Sequence, residues 1–293
     1  MTPFDYRKPS TLDEAFRLLD EYGPRASVLA GGTDLLIRVR NRSIVPELLI
    51  DLKGVSGLDE IRYEPETGLR IGALASIYSL ETSPHVQGAF AGIGEAAASL
   101  ASYQVRCRAT LGGNVCNGSP AADMVPPLIT LGARVRIASK DGERWLSMEE
   151  LYAVPRRTRL QPGELLLEIQ IPPARPVVSG YAKHGVRNAM ERAVVGVAVS
   201  LWPSEKGGCA EVKIAIGAAG PVPARALKSE GILRGEKLDE GIISRAAELA
   251  AEETNPISDL RASAEYRREM VQVLTRRLLT RIWMDSKGAG EVR

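Results

Sequence analysis

Cysteine is scarce in this 293-residue sequence, limited to Cys107, Cys116 and Cys209. An odd count without a Cys-x-x-Cys pair argues against a disulfide framework and against a cysteine-held cluster, and it fits a reducing compartment. Histidine is scarcer. His85 and His184 have no second ligand at workable spacing nearby, so both are expected to pack or face solvent and no metal site is expected. Charge of one sign is missing as well: 38 Lys and Arg stand among 36 Asp and Glu for a net charge of +2, which leaves no electrostatic footprint for nucleic acid. The longest apolar run, Ala193 to Trp202, is too short to span a bilayer, and Met1 to Lys8 holds no basic segment followed by an apolar core. The expectation is a soluble, cytoplasmic protein. Ser119 lies in Asn-Gly-Ser-Pro rather than Gly-x-Ser-x-Gly, and no phosphate-loop signature occurs, so neither a hydrolase nucleophile nor a P-loop is expected.

What is present is enough apolar residue, 44% of the chain, to fill the cores of two domains. Thr11-Leu12-Asp13-Glu14 has the capping-box form, and Leu12, Ala15, Phe16 and Leu19 follow at helical spacing until Gly23-Pro24. Ala26 to Leu29 and Glu47 to Leu52 predict strands around a helix carrying Leu35, Leu36 and Val39, with Thr33 or Asp34 as its cap. That is a small parallel β-α-β unit, with its ligand expected at the carboxyl edge. Leu69 to Leu74, Arg134 to Ala138 and Glu164 to Ile171 predict further strands; Ala89 to Ala101 and Ala121 to Leu131 predict helices, the latter broken or restarted at Pro126-Pro127. Gly92-x-Gly94-x-x-Ala97 fits a dinucleotide fingerprint, but no strand precedes it, so a helix interior is the better reading.

The proline-rich span Pro172 to Val178 marks a domain boundary. Beyond it, Gly180 to His184, Ala193 to Trp202 and Glu211 to Ala218 predict three antiparallel strands, followed by helices over Ala224 to Leu233, Asp239 to Glu253 and Asp259 to about Trp283. The organisation expected is residues 1–175 as a first domain, subdivided near 55–60, residues 176–286 as a smaller α+β domain, and 287–293 as a frayed tail.

Two glycine pairs carry the chemistry. Gly31-Gly32 sits in Leu29-Ala30-Gly31-Gly32-Thr33-Asp34-Leu35, and Gly112-Gly113 sits in Thr110-Leu111-Gly112-Gly113-Asn114, about 80 residues further on. Without a Cβ, each pair can take φ > 0 and bring backbone N–H groups close to a phosphate, so two such corners can grip one extended ligand from both sides. Taken singly, each is also compatible with an ordinary tight turn.

With these residues in view, the sequence resembles the flavoprotein subunits of the molybdenum hydroxylases, the group that includes the FAD-binding chains of xanthine dehydrogenases and the medium chains of aerobic carbon monoxide dehydrogenases. The likeness extends over Pro3-Phe4-Asp5-Tyr6, Leu69-Arg70-Ile71-Gly72-Ala73, Gln104-Val105-Arg106, Ser119-Pro120-Ala121-Ala122-Asp123, Glu164-Leu165-Leu166 and Val194 to Val199, in the family's order. The resemblance implies an α+β chain, with a two-part FAD-binding domain of the PCMH/vanillyl-alcohol-oxidase-like type followed by a smaller α+β domain holding a three-stranded antiparallel sheet with helices. It implies noncovalent FAD, wrapped by Leu29 to Leu35 and clamped by Thr110 to Asn114, with Asp123 holding a cofactor hydroxyl. Leu166 and Lys183 would approach the isoalloxazine ring, and Ala101, with Tyr103 as a further candidate, would line the pocket. Asp34 is expected to turn from the phosphate, because like charges repel. Arg106 and Arg108 read as a solvated basic turn or as phosphate contacts.

The implied assembly adds a small chain carrying [2Fe-2S] clusters and a large chain carrying the molybdenum cofactor, as a heterotrimer or a dimer of heterotrimers. In it this chain relays electrons through FAD to NAD, a quinone or oxygen. Two alternatives stay open at this point: a stand-alone FAD-dependent oxidase, and a non-redox nucleotide-binding assembly module.

Overall fold

The computed structural model describes residues 3–154, 157–173, 176–187, 189–205 and 207–288. The first unit is β1 (Asp5–Arg7), α1 (Leu12–Tyr22), β2 (Ala26–Leu29), α2 (Leu35–Arg40) and β3 (Leu48–Asp51), its strands parallel in the order β1-β3-β2. Thr11 caps α1 by accepting from the Glu14 N–H, while the Glu14 carboxylate accepts from Ser10 N–H rather than Thr11 N–H. Ala15, Phe16 and Leu19 of α1 pack on Leu48 and Ile50 of the central strand. The expected cap of α2 is absent, since the Asp34 side chain makes no capping bond.

The second unit runs β4 (Ile61–Glu64), β5 (Gly68–Gly72), α3 (Ile77–Thr82), α4 (Ala91–Ser99), α5 (Tyr103–Arg106), α6 (Leu111–Cys116) and α7 (Val125–Thr130). It continues through β6 (Arg134–Ser139), β7 (Gly142–Ser147), α8 (Met148–Leu151), the small pair β8 (Tyr152–Val154) and β9 (Arg157–Thr158), and β10 (Leu165–Ile171). Its antiparallel sheet has the order β4-β5-β10-β6-β7. Helix α7 starts later than the sequence suggests because Pro126 and Pro127 take its first turn, where no N–H is needed. Gly92 and Gly94 do lie inside a helix: Gly92 lets α4 approach β11 so closely that a Cβ there would stand 3.1 Å from the Gly180 nitrogen.

The third unit is β11 (Val178–His184), β12 (Val195–Pro203), β13 (Cys209–Gly217), β14 (Ala224–Arg225), α9 (Leu227–Leu233), α10 (Glu240–Glu252) and α11 (Ala264–Gly288). The three expected antiparallel strands are there, extended by the two-residue β14. One face of this sheet, with Val197, Val199 and Ile214, packs on Ala246, Leu278 and Ile282 of the C-terminal helices. The other face presents Tyr181, Ala198 and Ala215 to the core of the second unit. Burial on both faces explains why β12 is apolar without alternation. The expected boundary near 175 falls on 174 and 175, and most of the expected frayed tail falls on 289–293, outside the described residues.

One buried carboxylate ties the first sheet to the loop after β2. Asp51, 3% exposed at the end of β3, accepts from the Tyr6 hydroxyl at 2.5 Å and from Lys53 N–H at 3.0 Å, and it pairs with Lys53 Nζ at 2.6 Å. Lys53 Nζ in turn donates to the Ala30 carbonyl at 2.9 Å. Burial pushes the Asp51 pKa up, but the bonds from Lys53 and Tyr6 outweigh it and hold it below the ordinary carboxylate value. A depressed acid stabilises the fold above its unfolded pKa of about 4, and the contribution is lost as pH falls through the lower folded value. Asp51→Asn is therefore expected to lower the melting temperature at pH 7 and to melt with the unmodified chain once acid has protonated Asp51. Parallel melting curves from pH 7 to 3 check this, and a gap that persists undiminished at the acid end would contradict it.

Candidate cofactor site

The three units meet at a cavity of about 490 Å³, within the roughly 300–1,000 Å³ usual for organic ligands and cofactors. Ala30 to Leu35 line it after β2, Thr110 and Gly112 to Asn114 line it from α6, Leu166 lines it from β10, and Met190 to Arg192 reach it between β11 and β12. Its position at the carboxyl end of β2 is the one expected of a parallel unit.

The first glycine corner lies against the residues that lead into the second. A Cβ on Gly31 would collide with the Arg108 carbonyl oxygen and stand 2.9 Å from Ala109 Cα, just ahead of Thr110. A Cβ on Gly112 would stand 2.7 Å from the Ala73 carbonyl oxygen. Of the four glycines only Gly32 takes a positive φ, 77°. The other three serve close approach rather than a left-handed turn, Gly31 and Gly112 to backbone and Gly113 to the Thr110 hydroxyl, which corrects the conformational part of the expectation.

The corners also differ in what they offer a ligand. Leu111 N–H donates to Ala75, Gly112 N–H to Ala73, Gly113 N–H to the Thr110 hydroxyl and Asn114 N–H to the Thr110 carbonyl, at 2.8 to 3.1 Å. Thr110 caps α6, so the second corner is a helix start whose amides are already used. Its free atom is a side chain: Asn114 Oδ1 is buried with no partner among the described residues. By contrast, among the described residues no carbonyl accepts from the backbone N–H groups of Gly31, Gly32, Thr33, Asp34 or Leu35. Five consecutive free amides on one cavity wall form a nest for an anion, and a buried amide oxygen without a donor calls for one. A diphosphate flanked by hydroxyl-rich sugars supplies both, so the residues fit FAD.

Thirteen of the sixteen residues singled out from the sequence line the cavity; Leu29, Leu111 and Lys183 do not. Leu29 and Leu111 are buried and put their side chains into the packing behind the wall. Lys183 spends all three of its N–H donors within the chain, on Asp123 Oδ2 at 3.0 Å and on the carbonyls of Ser99 at 3.1 Å and Glu191 at 2.9 Å. Its side chain is 10% exposed, so it is neither a surface charge nor a cation free to face a ring. Asp123, which does line the cavity, accepts from Lys183 and from the Tyr181 hydroxyl at 2.9 Å. Burial pushes the Asp123 pKa up and Lys183 pulls it part of the way back. Each of its oxygens keeps a lone pair for a donor from the cavity. The Asp34 side chain is exposed and does not bond the N–H groups of its own helix.

Tyr103 does not line the cavity; it is 54% exposed and sits edge-on to Tyr78. Arg106 is no solvated turn, because Glu81 holds it. Several lining residues escaped the sequence reading, among them Arg38, Asn117 and Met190 to Arg192. Asn117 and Arg38 follow the glycine blocks directly and could have been found by extending them, whereas nothing in the sequence marks 190–192. Glu164 lines the cavity with its charge matched by a two-pronged pair to Arg144 at 2.7 Å, which holds its pKa low. The three cysteines are free, and among the described residues no cluster of His, Cys, Asp and Glu could hold a metal. Nor is any helix there long and apolar enough to cross a membrane.

Comparison with known proteins agrees with this geometry. A family described as FAD binding domain in molybdopterin dehydrogenase matches residues 2–174, and the CO dehydrogenase flavoprotein C-terminal domain matches 181–282. The carbon monoxide dehydrogenase medium chain of Afipia carboxidovorans is 32% identical, with 95% of this chain and 96% of that one covered. The xanthine dehydrogenase FAD-binding subunit of Escherichia coli O157:H7 is 29% identical over 94% of each. The solved structure of reconstituted CO dehydrogenase from Oligotropha carboxidovorans superposes with a TM-score of 0.92 at 32% identity, covering 97% of this chain and 98% of the other.

Proposed function

The chain belongs to the FAD-binding medium subunits of the molybdenum hydroxylases, and on that premise we propose that it binds FAD noncovalently in the cavity and relays electrons inside a larger complex. The observation that carries the reading is the run of unbonded amides from Gly31 to Leu35 facing the same cavity as the partnerless Asn114 Oδ1. The amides would hold the diphosphate, Thr33 would add its hydroxyl, Asn114 and Asp123 would take sugar hydroxyls, and Ala101 and Leu166 would give apolar contact. Leu29, Leu111 and Gly112 would act by setting the wall in place. Bound there, FAD would supply the two-electron chemistry by which electrons from [2Fe-2S] clusters on a small partner chain reach NAD, a quinone or oxygen. Substrate oxidation belongs on this reading to a large chain with the molybdenum cofactor. Residues 1–175 would carry the cofactor, and residues 176–286 would close the site through 190–192.

The chemistry of the wall supports a relay over a stand-alone oxidase. Among the described lining residues there is no histidine, and the carboxylates of Asp123, Glu164 and Glu191 are already matched by Lys183, Arg144 and Arg187, while Asp34 is exposed at the rim; a single exposed carboxylate is not an acid–base pair poised for an organic substrate. The purified full-length chain is expected to bind one FAD with quenched flavin fluorescence. Once loaded, it should stay oxidised in the presence of small organic substrates until the partner chains are added. A chain that remains colourless after FAD reconstitution would refute the cofactor assignment, and reduction by substrate without partners would favour the oxidase.

A further inference from the structure

Three consecutive carbonyls at the end of α4 each accept from a different part of the molecule. The Ser99 carbonyl takes Lys183 Nζ at 3.1 Å, the Leu100 carbonyl takes Arg106 Nη1 at 3.2 Å, and the Ala101 carbonyl takes Met190 N–H at 2.9 Å. Between them Ala101 stands at φ 45°, a left-handed conformation that a residue with a Cβ keeps only where its surroundings enforce it. Leu100 and Ala101 both line the cavity.

Arg106 is itself fixed. Its Nε and Nη2 donate to the two oxygens of Glu81 at 2.7 and 3.2 Å, and the two side chains are only 14% and 24% exposed. Glu81 belongs to α3, and Arg106 to the four-residue α5 that follows the strained segment. A brace therefore runs from α3 through Glu81 and Arg106 to the backbone of the cavity wall. Neither Glu81 nor Arg106 lines the cavity, and the guanidinium is committed to the carboxylate and the carbonyl, which removes it as a phosphate ligand. The planar guanidinium grips both oxygens of the carboxylate while a further N–H reaches the Leu100 carbonyl; a lysine there keeps the charge but loses the two-pronged grip, because its donors all radiate from one atom.

We infer that Glu81 and Arg106 are positioning residues for the cofactor: they hold Leu100 and the left-handed Ala101 in the wall, and so set how tightly and in what orientation FAD sits. The inference rests on the FAD assignment above. Arg106→Lys and Glu81→Gln, made in the full-length chain, test it by FAD titration, by visible circular dichroism and midpoint potential of the bound flavin, and by the melting temperature of the FAD-free protein. Each variant is expected to raise the FAD Kd about tenfold and to change the flavin dichroism and potential, with the FAD-free melt held within a few degrees. The double variant should be little worse than the more affected single one, because the two residues act as one brace. Unchanged Kd and flavin spectrum would overturn the inference. So would variants that fail to fold, or a Kd that rises only in step with loss of folded FAD-free protein, since the pair would then be structural. If the unmodified chain itself takes up no FAD, the cofactor assignment fails instead, and the two failures are distinct.

Discussion

Replacing Gly31 with alanine is expected to weaken FAD binding by about 100-fold, the equivalent of about 2.7 kcal/mol, which is the loss of one or two hydrogen bonds to a charged ligand at about 1.5–3 kcal/mol each. The new methyl would overlap the Arg108 carbonyl oxygen and crowd Ala109 Cα, both of which are backbone and cannot rotate away. Yielding on the far side is barred, because Ala109 accepts from Ile77 N–H at 2.9 Å and Leu111 N–H donates to Ala75 at 2.9 Å, which ties that strip to the start of α3. The 30–34 loop must therefore move, and with it the amide nest. Overpacking of this kind also costs about 1–3 kcal/mol of stability, so the FAD-free melt should fall too. Gly231→Ala is the control: a Cβ there meets nothing within 4 Å, inside α9. It should bind FAD normally and gain about 0.5–1 kcal/mol from helix propensity. FAD titration of the two variants decides the matter. Wild-type affinity in Gly31→Ala would mean that the close approach of Gly31 to Arg108 and Ala109 is not needed for the cofactor to bind.

Lys183→Met is expected to cost about 3–5 kcal/mol at pH 8, the range seen when one partner of a buried ion pair is removed. The reason is Asp123, which would be left buried with only the Tyr181 hydroxyl as donor. Burial already raises its pKa, and without Lys183 the shift grows. The sign follows from linkage: an acid with a raised folded pKa binds more protons folded than unfolded, so stability drops as pH climbs from its unfolded value toward its folded one. The penalty should therefore be smaller at pH 5 than at pH 8. The same reasoning extends to the flavin. At high pH the variant presents an unmatched carboxylate at the cavity and should lower the midpoint potential; at low pH Asp123 protonates, the site is neutral again, and the potential returns toward that of the unmodified chain. Spectroelectrochemical titration at both pH values checks this, and a potential that never moves would leave the Lys183–Asp123 pair a purely structural one.

Much of the fold was legible because it is written in local patterns. Ala26–Leu29 is a strand to the residue, and Thr11 and Asp239 cap the helices that their side chains suit. The Gly92 to Ala97 stretch declared itself a helix interior by lacking a preceding strand. What escaped was short and exposed: Ile61–Glu64 and Gly142–Ser147 are edge strands of the second sheet, half-buried and charged, so alternation is weak in them. The prolines at 126 and 127 mark where the helix begins, one of the two outcomes they allow, because a proline tolerated in a first turn looks the same, in sequence, as one that breaks a helix.

By itself the sequence determined the kind of molecule this is: its family through ordered blocks, its α+β elements through periodicity, and most of the residues it singled out for the cavity wall through two glycine pairs and the blocks around them. The tertiary structure alone decided which of those residues have anything left to give a ligand. The Gly31–Leu35 amides are free, while the amides of 111–114 are consumed by Thr110 and by the segment Ala73–Ala75; Lys183 is saturated by three acceptors, of which two, the Ser99 carbonyl and the Asp123 carboxylate, come from distant parts of the chain. A residue's type and spacing say what bonds it can make. Whether a bond is still open depends on neighbours brought together from 60 to 84 positions away, as Asp123 and Ser99 are brought to Lys183, and no local pattern records them.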